Sequence, residues 1–456
     1  MLASDTASSG WVPPQFDVTQ KPRLVHSQQL SSCRGDNQTA DFLRIAKWSA
    51  DGSTILSQCE ASSFHRINLP KNIVAVGTAE SQTSTVETTF PQAAPIVDFA
   101  WFPGASVSNP ALYCFAASVR ESPVKLLDAS DGRLRASYRI VDHRERQIAP
   151  NSLAFNPMGT RLYCGFEDAI EVFDVLSPGE GTRLHTTPSK KSRDGLKGII
   201  STLAFSNDVS SEVYAAGSLT PSSATNSNIA LFTESTGDVP VMFVGSDTSA
   251  GFGVRHSCIQ VMFNPIRPYL LYASFRRHDT IYCWDVRGDV GTPLRTYRSP
   301  VKKDGNPTNQ KTRFDVDIYG RWLGVGDQDG NISLFDLGSA EADPIEITSE
   351  VSQRDLEPTL KYPAHADTIG SVGFHPSLPV LFSISGSRNF ETPPASDESD
   401  SSDDTDEEEE VNLVQKEKRM KVRKDAYRPP SKDNLVKLWD FSRSDAAESE
   451  LIQGST

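Results

Sequence analysis

A histidine, a serine and an aspartate near the end of the chain are residue types that could perform nucleophilic catalysis. His365, Ser383 and Asp433 would supply the base, the hydroxyl and the carboxylate of a catalytic triad. The sequence contains no nucleophile elbow, however, and the three residues lie in or beside predicted strands. We therefore interpret them, together with Trp439, as a buried hydrogen-bond network that makes a sheet rigid. We expect the protein not to be an enzyme.

Two further residue sets could bind a cofactor or a metal. Gly324, Gly326 and Gly330 in LGVGDQDGN resemble a phosphate loop only loosely, since the spacing differs and no helix follows. The histidines do not cluster with cysteines at the spacing of a metal site. No C-x-x-C pair occurs among the cysteines, which are Cys33, Cys59, Cys114, Cys164, Cys258 and Cys283. We expect them to be reduced and buried, and we expect no cofactor.

The segment that explains the rest of the chain is 259–286, IQVMFNPIRPYLLYASFRRHDTIYCWDV. It contains three short apolar runs, IQVMF, LLYASF and IYCWDV, separated by Asn264-Pro265 and by the polar turn 276–279. Such runs with turn residues between them predict antiparallel hairpins. The Trp284-Asp285 pair at the end of the third run is typical of one blade of a WD40 β-propeller.

The same pattern recurs along the chain. The first repeat begins near Phe42, and the spacing is about the 40–45 residues expected of WD40 blades, with insertions. The Trp-Asp pair is kept at Trp439-Asp440, and it is reduced to FD or LD where other repeats end, at Asp128, Asp174 and Asp336. We predict an all-β, seven-bladed WD40 β-propeller. Residues 338–363 are expected to be a long connection between blades six and seven.

The repeats also predict the domain organisation. The propeller occupies 24–441, between a disordered N-terminus at 1–23 and a polar tail at 442–456. The segment LVHSQQL, 24–30, is expected to pair with the last blade and so to remove an open sheet edge. Blade seven is interrupted at 390–432 by an acidic run and then a basic run, and blocks of like charge predict disorder.

Charge and hydropathy say little about partners. The net charge of −14 argues against nucleic acid, but much of it lies in the acidic run 397–410. No signal peptide or membrane-length apolar run is seen, so we expect an intracellular protein without membrane contact. The basic run 416–424 is either a nuclear import signal or a counter-charge to the acidic run.

Basic residues fall on one end of the predicted propeller. In blades of strands a to d, the b–c turns and the d–a connections between blades share one end, here called the b–c end. We predict RNA binding there, because phosphate contacts dominate affinity for nucleic acid. The predicted residues are Arg120, Lys190, Lys191, Arg193, Arg276, Arg277, His278, Lys302, Lys303 and Arg388. Lys197, Lys311 and Arg313 lie in the same connections. The alternative is that Lys and Arg occur in loops simply because loops face solvent.

Several stretches are more specific than a general WD40 pattern. They include ASVRESPVKLLDASDGRLRASYR, SLAFNPMGTRLYCGF, RFDVDIYGRWLGVG and GFHPSLPVLFSISGSRNFETP. In order and wording they resemble the telomerase Cajal body protein family, over roughly 42–393. The chain departs from the animal members in the size of its blade-seven insertion, and it resembles a lower-eukaryotic, fungal-like member.

The resemblance implies a non-enzymatic, RNA-binding scaffold in the nucleus, in Cajal bodies or an equivalent body. The implied RNAs are small nuclear or Cajal-body RNAs and telomerase RNA, and the implied protein partners belong to the H/ACA ribonucleoprotein, of the dyskerin type. The chain is expected to be a monomer. The alternative is a platform for protein–protein interaction in small nuclear RNP maturation or pre-mRNA splicing, without direct RNA contact.

Overall fold

Seven antiparallel sheets follow one another along the chain. The computed structural model describes residues 13–29, 41–60, 62–69, 87–189, 191–192, 194–220, 227–245, 256–299, 308–338, 355–387 and 433–442. Each sheet is one blade, with its strands hydrogen-bonded in the order a, b, c and d. The predicted all-β seven-bladed propeller is therefore confirmed. Within the described ranges, helical structure is a single 3-10 turn, Val209–Ser211, and no helix has the length and hydropathy of a membrane span.

The first four blades are each built from consecutive strands. The strands of blade one are Leu43–Trp48, Thr54–Cys59, Ser63–Asn68 and Glu87–Pro91. Those of blade two are Ile96–Trp101, Cys114–Val119, Val124–Asp128 and Leu134–Tyr138. Those of blade three are Ser152–Phe155, Arg161–Phe166, Ala169–Asp174 and Thr182–His185. Those of blade four are Ile200–Phe205, Val213–Ser218, Ile229–Thr233 and Met242–Val244.

The last three blades depart from simple succession. The first four strands of blade five are Cys258–Phe263, Leu270–Phe275, Thr280–Asp285 and Arg295–Arg298. Blade six has Phe314–Val316, Trp322–Gly326, Asn331–Asp336 and Leu360–Pro363. Blade seven has Ile369–Phe374, Val380–Ser385, Leu435–Asp440 and, from the start of the chain, Arg23–Gln29.

The segment expected to be a plain connection, 338–363, contributes to two sheets. Asp355–Leu356 adds a fifth, parallel strand beside Arg295–Arg298 of blade five. Leu360–Pro363 is the outer strand of blade six. The expectation was wrong because an outer strand needs only one partner and carries a weak apolar pattern. Here Leu360–Pro363 has one buried residue, Tyr362.

Burial explains the continuous apolar runs seen in the sequence. The b strands of blades one, two, five and seven are buried at every residue, since they are covered by the neighbouring blades on both faces. Outer strands such as Leu134–Tyr138 bury only part of their length. The described cysteines, Cys59, Cys114, Cys164, Cys258 and Cys283, are buried and form no disulfide. Cys33 lies outside the described residues.

The ring is closed by the start of the chain. Arg23–Gln29 pairs antiparallel with Leu435–Asp440, so the predicted closing strand is confirmed. The residues just before it were expected to belong to a disordered N-terminus. Instead, Phe16 is buried and packs edge-on against Phe374 and Phe441, and the backbone N–H of Asp17 donates to the carbonyl of Phe441. An aromatic side chain in a polar segment supplies enough apolar area to anchor it.

Candidate nucleic-acid interface

The b–c turn of blade five occupies the end of the propeller where RNA binding was predicted. The backbone N–H of Arg276 donates to the carbonyl of Ser257 at 2.8 Å, which fixes the start of the turn. Arg277 has a φ of +60°, a left-handed conformation that is uncommon for a residue other than glycine. The exposed guanidinium of Arg277 donates from Nε to Asn309 Oδ1 at 3.0 Å. The turn is therefore connected to the loop that enters blade six.

A cavity of about 340 Å³ lies between blades five and six at this end. Arg277, His278 and Asp279 form one wall, Asp327 and Gln328 another, and the connection from Thr308 to Thr312 a third. Two hydrogen bonds hold that connection: Thr308 N–H donates to Gln328 Oε1 at 2.9 Å, and Gln310 Nε2 donates to the carbonyl of Gly386 at 2.7 Å. The cavity combines aromatic and cationic groups with hydrogen-bonding side chains, a combination that suits a nucleic-acid base.

His278 faces this cavity as a neutral side chain. Its ring lies 5.2 Å from the ring of His256, centroid to centroid. Burial, and then the neighbouring His256, lower the pKa of His278. At neutral pH the imidazole therefore offers a hydrogen-bonding and stacking surface rather than a positive charge.

A second group of cations lies near Arg313, which lines the central channel between the inner strands. Lys311 and Arg313 lie on the connection into blade six, and the Arg313 Nη1 donates to the carbonyl of Ile259 at 3.1 Å. Burial first, then Arg313, Arg276 and Arg44, lower the pKa of Lys311 to about 8. Burial and the nearby Arg120 likewise lower the pKa of Arg44. We call this set the channel-mouth cluster; its members are Arg44, Arg120, Arg276, Lys311 and Arg313.

Acidic residues near the cluster are few and already have partners. Asp98 lies 3.6 Å from the ammonium of Lys47, and its Oδ2 accepts from the backbone N–H of Leu153 at 2.9 Å. Glu60 lies 3.4 Å from the Nε of Arg44. Asp279 and Asp327, at the rim of the cavity, pair with Arg298 and Lys361. Among the described residues, Glu60 therefore offsets the charge of Arg44, and the single carboxylate of Asp98 is shared by Lys47, Lys311 and Arg313.

The structure places the residues predicted to bind RNA at different sites. Arg120 and Arg276 belong to the channel-mouth cluster, and Arg277 and His278 line the cavity. Lys191 is exposed on the connection between blades three and four. The remaining predicted residues lie outside the described ranges: Lys190, Arg193, Lys302, Lys303 and Arg388. The charged insertion at 390–432 also lies outside them.

Sequence reasoning missed the contribution of Arg44. It lies within an inner strand, Leu43–Trp48, and not in a turn. The sequence did contain an indication, because Arg44 and Lys47 both lie in a strand that should line the channel. Charged side chains are rarely buried in such a strand unless they have a partner or a function.

The four residues of the proposed blade network are joined by hydrogen bonds. Trp439 Nε1 donates to Ser383 Oγ at 2.8 Å, and Ser383 Oγ lies 2.7 Å from His365 Nε2. The other ring nitrogen of His365 lies 3.1 Å from Asp433 Oδ2. Burial lowers the pKa of His365, which keeps the ring neutral and able to accept from the hydroxyl. Ser383 is fully buried, so no substrate reaches it.

One cluster of metal-ligating residue types appears in space though not in sequence. Asp41, Cys59 and His65 bring ligand atoms within 4.8 Å of one another. Both ring nitrogens of His65 already have protein partners, however: Nδ1 lies 2.6 Å from Glu87 Oε1, and Nε2 lies 2.9 Å from Ser63 Oγ. The arrangement is satisfied as a hydrogen-bond network.

The opposite end of the propeller, formed by the a–b and c–d turns and here called the a–b end, exposes apolar side chains. Apart from Leu24 and Leu134, the exposed large apolar side chains of the described ranges lie there, and they are between 40% and 87% exposed. They are Val107, Met158, Leu176, Val209, Val239, Val241, Ile266, Leu294 and Ile318. Grouped exposed apolar side chains are typical of protein-binding surfaces.

Known proteins are similar in sequence to this chain along most of its length. The chain is 31% identical to telomerase Cajal body protein 1 of Bos taurus over 456 residues, which covers 98% of this chain and 74% of the bovine protein. The chain belongs to the telomerase Cajal body protein 1 family. The human member is 30% identical over 397 residues, covering 87% of this chain and 65% of the human protein.

Two more distant proteins are also similar to the chain. The Drosophila melanogaster homolog of telomerase Cajal body protein 1 is 24% identical over 355 residues, covering 75% of this chain and 56% of the fly protein. The guanine nucleotide-binding protein negative regulator 1 of Schizosaccharomyces pombe is 27% identical over 324 residues, covering 69% of this chain and 75% of the Schizosaccharomyces pombe protein. No family model matches the chain. The chain spans 64% of the Mesocricetus auratus member and 65% of the Mus musculus member.

Proposed function

We propose that this protein is a non-enzymatic RNA-binding scaffold for small nuclear or Cajal-body RNA, including telomerase RNA. The observation that supports this most directly is the gathering of cations at the b–c end, around both the cavity and the channel mouth, in a member of this family. RNA phosphates lie along the cations, and a base enters the cavity beside His278. The protein acts as a monomer in the nucleus, in Cajal bodies or an equivalent body, with H/ACA ribonucleoprotein proteins of the dyskerin type as partners.

The RNA itself is identified by crosslinking in cells. The tagged protein is crosslinked in its own cells, purified under denaturing conditions, and the attached RNA is sequenced. Enrichment of H/ACA-type small RNAs or telomerase RNA supports the proposal. Enrichment of spliceosomal small nuclear RNAs moves the role to their maturation, and absence of enriched RNA contradicts RNA binding.

Arg277 offers a variant that removes a cation without damaging the fold. A left-handed residue that is not glycine stores strain of about 1 kcal/mol, so Arg277→Gly should leave the melting temperature unchanged or raise it. If Arg277 contacts a phosphate, affinity for RNA falls and the slope of log K against log salt decreases by about 1. Glu121→Gly is the matched control, because Glu121 is also left-handed, with a φ of +58°, in the b–c turn of blade two. Unchanged RNA affinity in Arg277→Gly would show that the cavity rim at Arg277 does not contact RNA.

The second candidate is a protein-interaction platform in small nuclear RNP maturation or pre-mRNA splicing, without direct RNA contact. The apolar a–b end favours it. The Schizosaccharomyces pombe relative, named as a regulator of a guanine nucleotide-binding protein, also favours a protein target. Ile266→Glu and Leu176→Glu place charges on this end, where both side chains are more than half exposed. Loss of protein partners in these variants, with RNA crosslinking retained, would show that the two ends act separately.

A further inference from the structure

The channel-mouth cluster is fixed in place by contacts to three blades. The backbone N–H of Arg313 donates to the carbonyl of Gly370 in blade seven at 2.9 Å, and its Nη1 donates to Ile259 in blade five. Arg313 itself leads directly into blade six. Arg276 is held through its backbone to Ser257. The fold therefore positions the backbones of Arg276 and Arg313 and the guanidinium of Arg313.

Among the described residues, acidic groups balance the charge of the cluster only in part. Lys311 is repelled by Arg313, Arg276 and Arg44. Asp98 attracts both Lys311 and Arg313, but it also pairs with Lys47. In the described part of the chain, the ammonium of Lys311 makes no hydrogen bond or ion pair. Buried like charges oppose one another strongly, so this arrangement reduces the stability of the empty protein.

Two hydrogen-bond donors of the cluster also lack acceptors. The Nε atoms of Arg276 and Arg313 are buried, and neither has a hydrogen-bond partner among the described residues. A buried donor without an acceptor costs stability. Unbalanced charge and unused donors at the same place are both explained by a bound anion.

We propose that the channel mouth is a phosphate-binding site in which Arg276, Lys311 and Arg313 contact the oxygens of one phosphate group. Guanidinium groups bind phosphate through directed N–H donors, and a lysine adds a compact charge. The phosphate comes either from the RNA backbone, a source that rests on the proposed function, or from a small phosphate compound. The site lies beside the cavity between blades five and six but is distinct from it.

Pyrophosphate is the probe for the site itself. It should bind the full-length protein in calorimetry and raise its melting temperature, and both effects should be lost in Lys311→Gln. Without pyrophosphate, Lys311→Gln should melt higher than the unsubstituted protein, because it removes a repelled, buried charge. A lysine with a purely structural role would give the opposite change. Arg276→Gln is the second variant, and Arg287→Gln, an exposed cation in the c–d turn of blade five, is the control. Absence of pyrophosphate binding, or equal binding by Lys311→Gln, would overturn the proposal.

A single-stranded RNA oligonucleotide then distinguishes the two sources of phosphate. If RNA supplies it, pyrophosphate competes with the oligonucleotide, and Lys311→Gln lowers the salt slope of RNA binding by about 1. If pyrophosphate binds but RNA does not, the phosphate site stands, its source is a small compound, and the proposed RNA function fails. If RNA binds without competition and pyrophosphate does not bind, the RNA function stands and the phosphate site is wrong.

Discussion

At the scale of single residues, Lys311 combines charge with an unusual protonation equilibrium. Burial and the neighbouring arginines lower its pKa to about 8, from a model-compound value of 10.5. A bound phosphate would reverse part of that shift, because an opposite charge favours the ammonium form. Binding of an anion should therefore be linked to uptake of a proton.

This linkage predicts that anion affinity falls as the pH rises from about 7 to about 9. The sign follows from the pKa of Lys311: below about 8 the ammonium is charged and attracts the anion, and above it the neutral amine does not. The charged or titratable groups that face Lys311 are Arg44, Arg276, Arg313, Asp98 and Cys258. Burial raises the pKa of Cys258 to about 12, outside this range. Pyrophosphate titrations across this range check the prediction: affinity should fall more steeply with pH in the unsubstituted protein than in Lys311→Gln, because the ionisation of pyrophosphate itself affects both proteins equally. Parallel profiles for the two proteins would contradict it.

Residue types were easier to predict from the sequence than residue environments. The b–c end and the basic character of its turns followed from strand order. The burial of Lys311 and Arg313 could not be predicted from the sequence, because a position in a loop does not tell whether a side chain points to solvent or into a channel. Arg276 and Arg277 are neighbours in sequence, yet one belongs to the channel mouth and the other to the cavity rim.

At the scale of elements, side chains of the inner strands join each blade to the next. Thr202 Oγ1 accepts from the N–H of Val261 at 3.1 Å, and Asp315 Oδ2 accepts from the N–H of Phe374 at 2.8 Å. Ser371 Oγ accepts from the N–H of Ala46 at 2.9 Å, which crosses the junction between the last blade and the first. These bonds hold the inner strands around the channel and so fix the spacing of the cations at its mouth.

The blade-seven network makes a prediction about stability. Ser383→Ala leaves Trp439 Nε1 and His365 Nε2 without a partner in a buried site. Losing a buried hydrogen-bond partner costs about 1–3 kcal/mol, so the melting temperature should fall clearly. Ser108→Ala, at an exposed turn, is the control and should change stability by about 0.5 kcal/mol or less. An unchanged melting temperature in Ser383→Ala would show that the network contributes nothing to the blade.

Inner strands were predictable because their signals are local. Short apolar runs ended by turn residues predicted the a, b and c strands of most blades. The network of His365, Ser383, Asp433 and Trp439 was predicted from the positions of these residues in the last repeat. Outer strands were harder to predict. Leu360–Pro363, for example, becomes a strand by pairing with Asn331–Asp336, and residues 337–359 separate the two in sequence. Such pairing depends on the whole sheet and leaves little trace in local sequence.

At the scale of the whole molecule, the start of the chain closes the ring. Arg23–Gln29 covers the outer edge of blade seven, and Phe16 adds an apolar contact to Phe374 and Phe441. Without this closure, Leu435–Asp440 would present an unpaired strand edge, which invites association between molecules.

Phe16 therefore tests how much closure contributes to stability. Phe16→Ala removes a buried aromatic side chain and should lower the free energy of unfolding by about 1.5–3 kcal/mol. Thermal melting measures the change, and Val18→Ala, a less buried neighbour packed against the same cluster, should show a smaller effect. Equal stability of Phe16→Ala and the unsubstituted protein would mean that the segment before Arg23 is only loosely attached.

The two ends of the propeller differ in chemistry, and the central claim is that RNA binds the cationic b–c end. The most direct measurement is crosslinking of a bound RNA to the purified protein, followed by mass spectrometry of the RNA-modified peptides. Modified residues should lie in the blade-five turn, 276–279, and in the connection 308–313. Modification confined to the a–b and c–d turns, around Met158, Leu176 and Ile266, would contradict the account.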